Sequence, residues 1–571
     1  MRWKKDRRLQ FSLALFSGRR STVQTYQQAH SAFDNLGFKE TIDKLTQQTK
    51  ELYLSDDIPW VIGYSGGKDS TAILQLIWNA LSELASEGKA HKKVHVISTD
   101  TLVENPIVAL WVTRSLKQME SAVSKQNIPL HPHRLTPAVN DRFWVNLIGR
   151  GYPAPRYKFR WCTDRLKISP SNNFIKSVVQ NNGEAILVLG TRKAESTTRA
   201  ATMEVYENRA DNTRRAAGLT VNKELDRVWV YTPIADWSND DVWQYLMQVK
   251  NPWGFKNQEL LTMYQGATED GECPLVVDKS TPSCGDSRFG CYVCTMVGED
   301  KSMSAMIQND SEKEWMYPLL ALRNEIDIND SNKVKKARKI QADKDRRDFR
   351  RMNGSLTVHI NEYGADLVRG PYRQYFREHM LRKVLEAQLQ VQTLGPKEVK
   401  DLELLTIEDL EAIRELWVKS KNEVEDSVPA IYQSVMNKPY PGAKYQKHPL
   451  LNRETMEKLK NKCTEYDDLD GLKYEQVREL LTIANKHKHL LRRSTLYKEL
   501  ENALDKIAFN NISEARQFAL EKKLNENIYK LKDHNLTDDE KSKLQWEIDK
   551  IEQSLDNFTY LQLEQIDVQE I

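Results

Sequence analysis

Short apolar runs alternate with longer stretches of helical periodicity between residues 60 and 250. Trp60-Val61-Ile62-Gly63-Tyr64 reads as a buried strand, and 71–84 then carries apolar residues at helical spacing. Further buried strands are expected at 94–98, 185–190 and 228–231. Strands separated by helical stretches imply βαβ units, a mainly parallel sheet and right-handed crossovers, with a ligand at the carboxyl ends of the strands. Residues 1–55 read as a polar, helical lead-in. Beyond about 375 nearly every stretch is helix-forming, and from 475 onward the charged, periodic pattern predicts a helical hairpin or short coiled coil.

Composition narrows this picture modestly. The 571 residues are too many for one ordinary domain, and 40% hydrophobic residues suffice for sizeable cores. No apolar run approaches the roughly 20 residues that span a bilayer. The basic start, Met1-Arg2-Trp3-Lys4-Lys5, is not followed by the apolar stretch and cleavage site of a secretory signal, so the reducing cytoplasm is the expected compartment. A net charge of +3 argues against a surface that is basic all over, yet it allows a local groove. Residues 331–351 hold ten Lys or Arg against three Asp, a local net of +7.

Ser65-Gly66-Gly67-Lys68-Asp69-Ser70 lies between an expected strand and an expected helix. Glycines let the backbone approach a phosphate closely, and successive N–H groups at a helix start hold the anion. Lys68 adds a mobile cation, and Ser65 and Ser70 add hydroxyls. A Walker A loop needs Ser or Thr directly after the Lys, where Asp69 stands. The string instead resembles the PP-loop of ATP pyrophosphatases, which cleave ATP between its α and β phosphates. That resemblance implies a doubly wound α/β fold of the adenine nucleotide alpha hydrolase type, with an iron–sulfur loop region and an all-α C-terminal part.

Thr99 and Asp100 close the second strand, where PP-loop enzymes hold adenosine. Gly190-Thr191-Arg192-Lys193-Ala194-Glu195-Ser196, followed by Arg199, resembles a segment of the phosphoadenosine-phosphosulfate reductase branch. Arg192 and Arg199 are candidates to grip phosphate through forked hydrogen bonds. The expected ATP site is thus Ser65, Gly66, Gly67, Lys68, Asp69, Ser70, Thr99, Asp100, Gly190, Arg192 and Arg199, with Lys68, Asp69 and Arg192 as catalytic candidates. Lys68→Ala and Asp69→Ala are both expected to abolish turnover without disturbing the fold. Pro233-Ile234-Ala235-Asp236-Trp237, with Asp241 and Trp243, matches another element of that branch but reads mainly as helix capping and core tryptophans.

Cys273, Cys284, Cys291 and Cys294 crowd a Gly- and Pro-rich stretch, and Cys162 precedes Lys167 upstream. Thiolates are soft ligands that select iron–sulfur clusters or zinc. Structural zinc more often shows two Cys-x-x-Cys pairs, and only one is present, so a 4Fe–4S cluster is favoured over zinc or free thiols. The favoured ligands are Cys162, Cys284, Cys291 and Cys294. Cys273 stands as an alternative ligand or a sulfur-carrying thiol, and Cys463 reads as incidental.

Over about 58–325 the combination resembles the DndC family, the sulfurtransferases of bacterial DNA phosphorothioation. The carriers include Gly63 to Ser70, Ser98 to Pro106, Asn146-Leu147-Ile148-Gly149-Arg150-Gly151-Tyr152-Pro153, Cys284 to Cys291, and Asp300-Lys301-Ser302-Met303. The resemblance implies an ATP-dependent replacement of a non-bridging phosphate oxygen of DNA by sulfur, with Mg2+ on the ATP phosphates. It also implies a cysteine desulfurase as sulfur donor, and an SMC-like ATPase and a small DNA-binding subunit as companions. The basic run 331–351 and the Arg- and aromatic-rich segment 150–167 are the candidate nucleic-acid contacts. Rival readings are a phosphoadenosine- or adenosine-phosphosulfate reductase and a tRNA thiolase. The expected division is a lead-in at 1–55, a nucleotide domain at 56–260, a Cys-rich region at 261–330, a basic linker or helical segment at 331–400, and a helical, partner-binding region at 401–571.

Overall fold

The computed structural model describes residues 31–157, 159–207, 218–222, 224–267, 289–442, 451–466, 468, 470–488, 493–506 and 509–569. Cys273 and Cys284 lie outside the described residues, as do residues 1–30 of the expected lead-in. No helix among the described residues is long and apolar enough to cross a membrane.

The chain enters through helix α1 (Phe38–Leu54) and then alternates strands and helices. Strand β1 (Trp60–Gly63) leads into α2 (Lys68–Ser86), β2 (Val94–Thr99) into α3 (Pro106–Gln126), and β3 (Leu130–Leu135) follows. After an irregular stretch come α4 (Ser169–Asn182), β4 (Ala185–Val188), β5 (Leu219–Val221), β6 (Val228–Tyr231), α5 (Asn239–Gln248) and α6 (Asn257–Gly266). The six strands lie in the order β3-β2-β1-β4-β6-β5, all parallel except β5, which runs antiparallel to β6 at the edge. This is the doubly wound, mainly parallel sheet that the sequence implied.

Side-chain alternation explains why both faces are covered. Trp60 and Ile62 pack with Val94, Val96, Ile186 and Val188 in the larger core on one face. Val61 points the other way, with Ile97, Ala185 and Leu187, against Ile175 and Val178 of α4. Both sets are buried, as expected of parallel strands. From β1 the chain winds outward through β2 to β3, then returns to place β4 on the other side of β1. The order therefore reverses between β1 and β4, the position at which such sheets bind ligands.

Strands β3 and β5 were not foreseen. Strand β3 reads Leu130-His131-Pro132-His133-Arg134-Leu135, polar and interrupted by proline. It forms an outer edge of the sheet, where a missing N–H is tolerated. The Pro233–Trp237 element does what its local pattern suggested. Ser238 caps α5 in a capping box with Asp241, which also accepts hydrogen bonds from Ser31 Oγ (2.5 Å) and Ala32 N (3.1 Å), and Trp237 and Trp243 are buried.

A second core joins parts of the chain far apart in sequence. Phe143 to Ile148 pack with α7 (Lys301–Asn309), with Leu319 and Leu322, and with α9 (Gln374–Leu394) and α10 (Ile407–Glu415). Between α7 and α9 lies α8 (Lys333–Asp345). Gly149 and Gly151 mark the seam. A Cβ on Gly149 would lie 2.7 Å from Leu416 Cδ1, and Gly151, at φ +78°, sits against the Tyr372 backbone. The 146–153 string thus serves to dock the helical part onto the nucleotide fold.

Within the stretch expected to be basic linker or helix, a hairpin of β7 (Val358–Asn361) and β8 (Gly364–Leu367) appears. It packs against α11 (Ile512–Leu531) and α12 (Asp538–Gln569), where Ala365 joins Leu520 and Ile551. The hairpin was invisible in sequence because its apolar positions complete the core of helices roughly 150 residues away. Helices α11 and α12 form the expected helical pair, tied by Asn527 Nδ2 donating to Glu547 (3.0 Å).

Candidate functional site: a phosphate loop beside a thiol trio

The loop after β1 is built for close approach by its neighbours. Gly66 has φ +75°, and a Cβ there would lie 2.4 Å from Val112 Cγ2. Trp111 Nε1 donates to the Gly66 carbonyl at 3.1 Å, fixing the turn against α3. Gly67 caps α2, its carbonyl accepting from Ser70 Oγ (3.0 Å) and Thr71 Oγ1 (2.9 Å). Ser65 and Ser70 meet through their hydroxyls at 3.1 Å. On the other side of the reversal point, a Cβ on Gly190 would lie 3.0 Å from the Asp69 carbonyl. Glycine is needed because the β4 loop runs directly against the start of α2.

These elements wall a cleft of about 1010 Å³, which also reaches Thr99, Asp100, Glu104, Arg134, Lys167 and Tyr264. The structure brings every expected ATP-site residue to this cleft. Their partners differ from the sequence reading at the arginines. Arg192 is 3% exposed; its Nε donates to Asp69 Oδ1 at 2.7 Å, and its other nitrogens donate to the Trp237 carbonyl (3.2 Å) and Asn239 Oδ1 (3.4 Å). Arg199 ion-pairs with Glu195. The two guanidiniums therefore face carboxylates, and Arg192 acts as a clamp on the α2 N-terminus instead of a free phosphate ligand. Asp69 also accepts from Lys68 Nζ at 3.2 Å. Thr99 Oγ1 meets Ser171 Oγ (2.9 Å), and Asp100 is held by Arg134 and by Leu102 N (2.9 Å). Leu102 takes φ +61°, a costly conformation for a branched residue, in the turn that carries Asp100 and Glu104 to the cleft.

Cys162, Cys291 and Cys294 lie near one another, Cys291 and Cys294 beside the cleft residue Lys167. Backbone pairing of Glu104 with Cys291, with Tyr292 N donating to the Val103 carbonyl (2.9 Å), brings Cys291 to the end of the β2 loop. Buried Arg323 holds the segment from behind, donating to the Cys294 carbonyl (3.0 Å) and the Val297 carbonyl (2.6 Å). Lys167 stands among them, 3.4 Å from Glu104. Desolvation opposes its charge, but Cys291, Glu104 and Cys294 hold its pKa above the ordinary lysine range. Burial pushes the Cys162 thiol up, and burial with Glu104 pushes Cys291 up to about 12. Thr101 Oγ1 lies 3.5 Å from Cys291 Sγ. Among the described residues no group of three or more His, Cys, Asp or Glu is assembled closely enough to hold a metal ion.

Sequence reasoning missed Lys167 as a cleft residue, and it missed Glu104 and Tyr264 altogether. Glu104 lay inside a quoted motif and carried no distinguishing pattern. Tyr264 sits on a helix with ordinary apolar spacing, so only the fold reveals its hydroxyl beside the phosphate loop.

The Asp69–Arg192 contact changes what two substitutions should do. Asp69→Ala leaves a nearly buried guanidinium without its carboxylate, and should lower unfolding stability by about 2 kcal/mol in urea titrations, less than the full penalty because Asp69 retains some solvent. Lys68→Ala should stay within about 0.5 kcal/mol of the parent. Equal stability of the two variants would remove the clamp.

Residues 59–255 match the family described as "Phosphoadenosine phosphosulfate reductase domain". An uncharacterized protein of Methanocaldococcus jannaschii is 27% identical over 204 residues, covering 36% of this chain and 34% of that protein. The chain therefore spans about a third of the length of this curated relative. Among solved structures, the FMN adenylyltransferase of Candida glabrata, in complex with FMN and an ATP analogue, aligns at 12% identity over 43% of this chain and 68% of that one, with a TM-score of 0.24. The U34-tRNA thiolase of Methanococcus maripaludis, with its 4Fe-4S cluster, aligns at 12% identity over 49% of this chain and 82% of that one, with a TM-score of 0.23. Residues 59–255 thus carry a nucleotide-utilising domain of the phosphoadenosine phosphosulfate reductase type within the PP-loop group.

Proposed function

We propose that this protein is an ATP pyrophosphatase and sulfurtransferase whose acceptor is a phosphate of the DNA backbone. One observation carries the reading: the cleft lined by the glycine cradle at the start of α2 also reaches Lys167, whose charge is supported by Cys291, Cys294 and Glu104. A nucleotide activated at one end would lie within reach of sulfur chemistry at the other.

The chemistry follows from the residues present. Loop N–H groups and Lys68 bind the pyrophosphate part of ATP. A non-bridging oxygen of the acceptor phosphate attacks the α-phosphorus, the bond to the β-phosphate oxygen breaks, and pyrophosphate leaves. Hydrosulfide then attacks the acceptor phosphorus; a P–S bond forms, AMP departs with the former phosphate oxygen, and the sulfur proton passes to solvent. Where the sulfur arrives as a protein persulfide, its outer sulfur attacks instead, and a second cysteine thiolate then cleaves the S–S bond, leaving a disulfide and the phosphorothioate. Lys167 offsets negative charge where these species meet. Magnesium, when bound, would neutralise charge on the ATP phosphates. The donor chemistry suits a 4Fe–4S cluster: Cys162, Cys291 and Cys294 supply three soft thiols, and Cys273 or Cys284 would complete the set. A cysteine desulfurase as donor, with an SMC-like ATPase and a small DNA-binding subunit as companions, belongs to the same proposal.

Two surface features favour a nucleic-acid acceptor. Tyr157 is 79% exposed with the Arg160 guanidinium 4.9 Å from its ring centre, an arrangement able to stack on an unpaired base. Lys333, Lys335, Lys336 and Arg338 on α8 are exposed. The rest of the basic run is largely structural: Arg346 pairs with Glu325, Arg347 with Asp343, and Arg350 with Asp348 and Glu475. A second reading, a phosphosulfate reductase, is favoured by the matched domain at 59–255. It would consume phosphoadenosine phosphosulfate and release no pyrophosphate from ATP.

Incubation with ATP, a sulfur source and DNA should release pyrophosphate and yield phosphorothioate dinucleotides on mass spectrometry, with Lys68→Ala lowering release at least 100-fold (about 2.7 kcal/mol). Sulfur appearing only in tRNA, or sulfite released from phosphosulfate with no use of ATP, would replace the DNA reading. Anaerobically purified protein should be brown, and Cys291→Ser should lose most of its iron and colour; unchanged iron would remove that ligand. Charge reversal of Lys333, Lys335 and Lys336 together should weaken DNA binding and flatten its salt dependence by up to about three charges' worth. An unchanged slope would assign α8 to solvent alone.

A further inference from the structure

From the α6 side, the phosphate loop is approached by an aromatic side chain. Tyr264, on α6, is 9% exposed, and its hydroxyl lies in the cleft beside Gly67 and Lys68. Lys68 N donates to this hydroxyl at 3.4 Å, and a Cβ on Gly67 would lie 3.2 Å from it. The ring is fixed on three sides. Its neighbours are Trp243 edge-on at 5.2 Å, Phe289 edge-on at 4.8 Å, and the Lys68 ammonium at 5.7 Å from the ring centre.

A phenol both accepts and donates. Here the oxygen accepts from the backbone at the head of α2, which leaves its own proton to donate into the cleft. Burial, foremost, pushes the Tyr264 pKa up to about 12, so that proton is retained at neutral pH. A protonated donor, held rigidly beside a glycine-rich anion cradle and a lysine, is complementary to an oxyanion.

We propose that Tyr264 is a further phosphate-binding residue of this site, donating its hydroxyl proton to a β- or γ-phosphate oxygen of the nucleotide. It extends the row of donors begun by the loop N–H groups, and does so from the α6 side of the cleft. A hydroxyl can serve there without adding charge, whereas Arg192 and Arg199 are already engaged by carboxylates. The proposal rests on the nucleotide reading above.

Tyr264→Phe keeps the ring contacts and removes only the hydroxyl. Calorimetric titration of the full chain with inorganic pyrophosphate, a non-hydrolysable ATP analogue and adenosine separates the possibilities. The substitution should weaken pyrophosphate and the analogue at least about tenfold, as expected for a hydrogen bond to a charged group. Adenosine, which has no phosphate, should bind the variant and the parent alike, and this also reports an intact site. Equal pyrophosphate affinity in both proteins would overturn the assignment of Tyr264 alone. Tighter pyrophosphate binding by the variant would also overturn it, because the hydroxyl would then be competing with phosphate for the Lys68 N–H. If the parent protein binds neither pyrophosphate nor the analogue, the nucleotide reading falls with it.

Discussion

The close approach of two chain segments across the reversal point of the sheet governs the rest of the structure. The loop after β1 and the loop after β4 meet at Gly190, where a single added carbon would collide with the Asp69 carbonyl. That contact places Arg192 against Asp69 and so ties β4 to the head of α2. Asp69 sits in the first turn of the helix, where a negative side chain is favoured by the helix dipole. The guanidinium satisfies that carboxylate from the far side, leaving the loop backbone to face the cleft.

A second constraint concerns the thiols. Cys291 and Cys294 lie on an irregular stretch with no strand or helix of its own, and the protein fixes it by borrowing. Val103 supplies a carbonyl to Tyr292, Arg323 supplies donors to the carbonyls of Cys294 and Val297, and Pro155 accepts from Thr295 Oγ1 at 2.6 Å. Because Pro155 lies in the segment leading to Cys162, the Thr295 hydroxyl ties the stretch that carries Cys291 and Cys294 to the segment that carries Cys162. Arg323 in turn is neutralised by Asp327 at 2.9 Å, a buried pair whose partners are both almost fully removed from water. The position of the thiols thus depends on the helix Tyr317–Ile326, none of whose residues lines the cleft.

Much of this was legible in sequence, and the reasons are local. Strand, glycine turn and helix follow one another around Ser65–Ser70, so the loop announces itself without tertiary information. The strands β1, β4 and β6 are continuous apolar runs, and β2 is apolar at Val94, Val96 and Ile97, because both faces of the sheet are covered. What escaped was decided by distant partners. Strand β3 carries proline and histidines and is a strand because β2 offers it an edge. The hairpin β7–β8 depends on helices near the end of the chain. Arg192 reads as an anion ligand in isolation, and only the fold brings Asp69 and the Trp237 carbonyl to claim it. In the basic run, charge counting could not separate Arg350, locked between Asp348 and Glu475, from Lys335 in solvent.

The edge-to-face contact of Tyr264 with Phe289 has a topological consequence. Tyr264 lies in the last turn of α6 and Phe289 two residues before Cys291, so the two ends of the chain between them meet. Its closure is already achieved by the two rings. The cost of closing a loop grows only slowly with its length, about 0.6 kcal/mol for each doubling, so the ring contact and not the number of residues sets the distance between Tyr264 and Phe289.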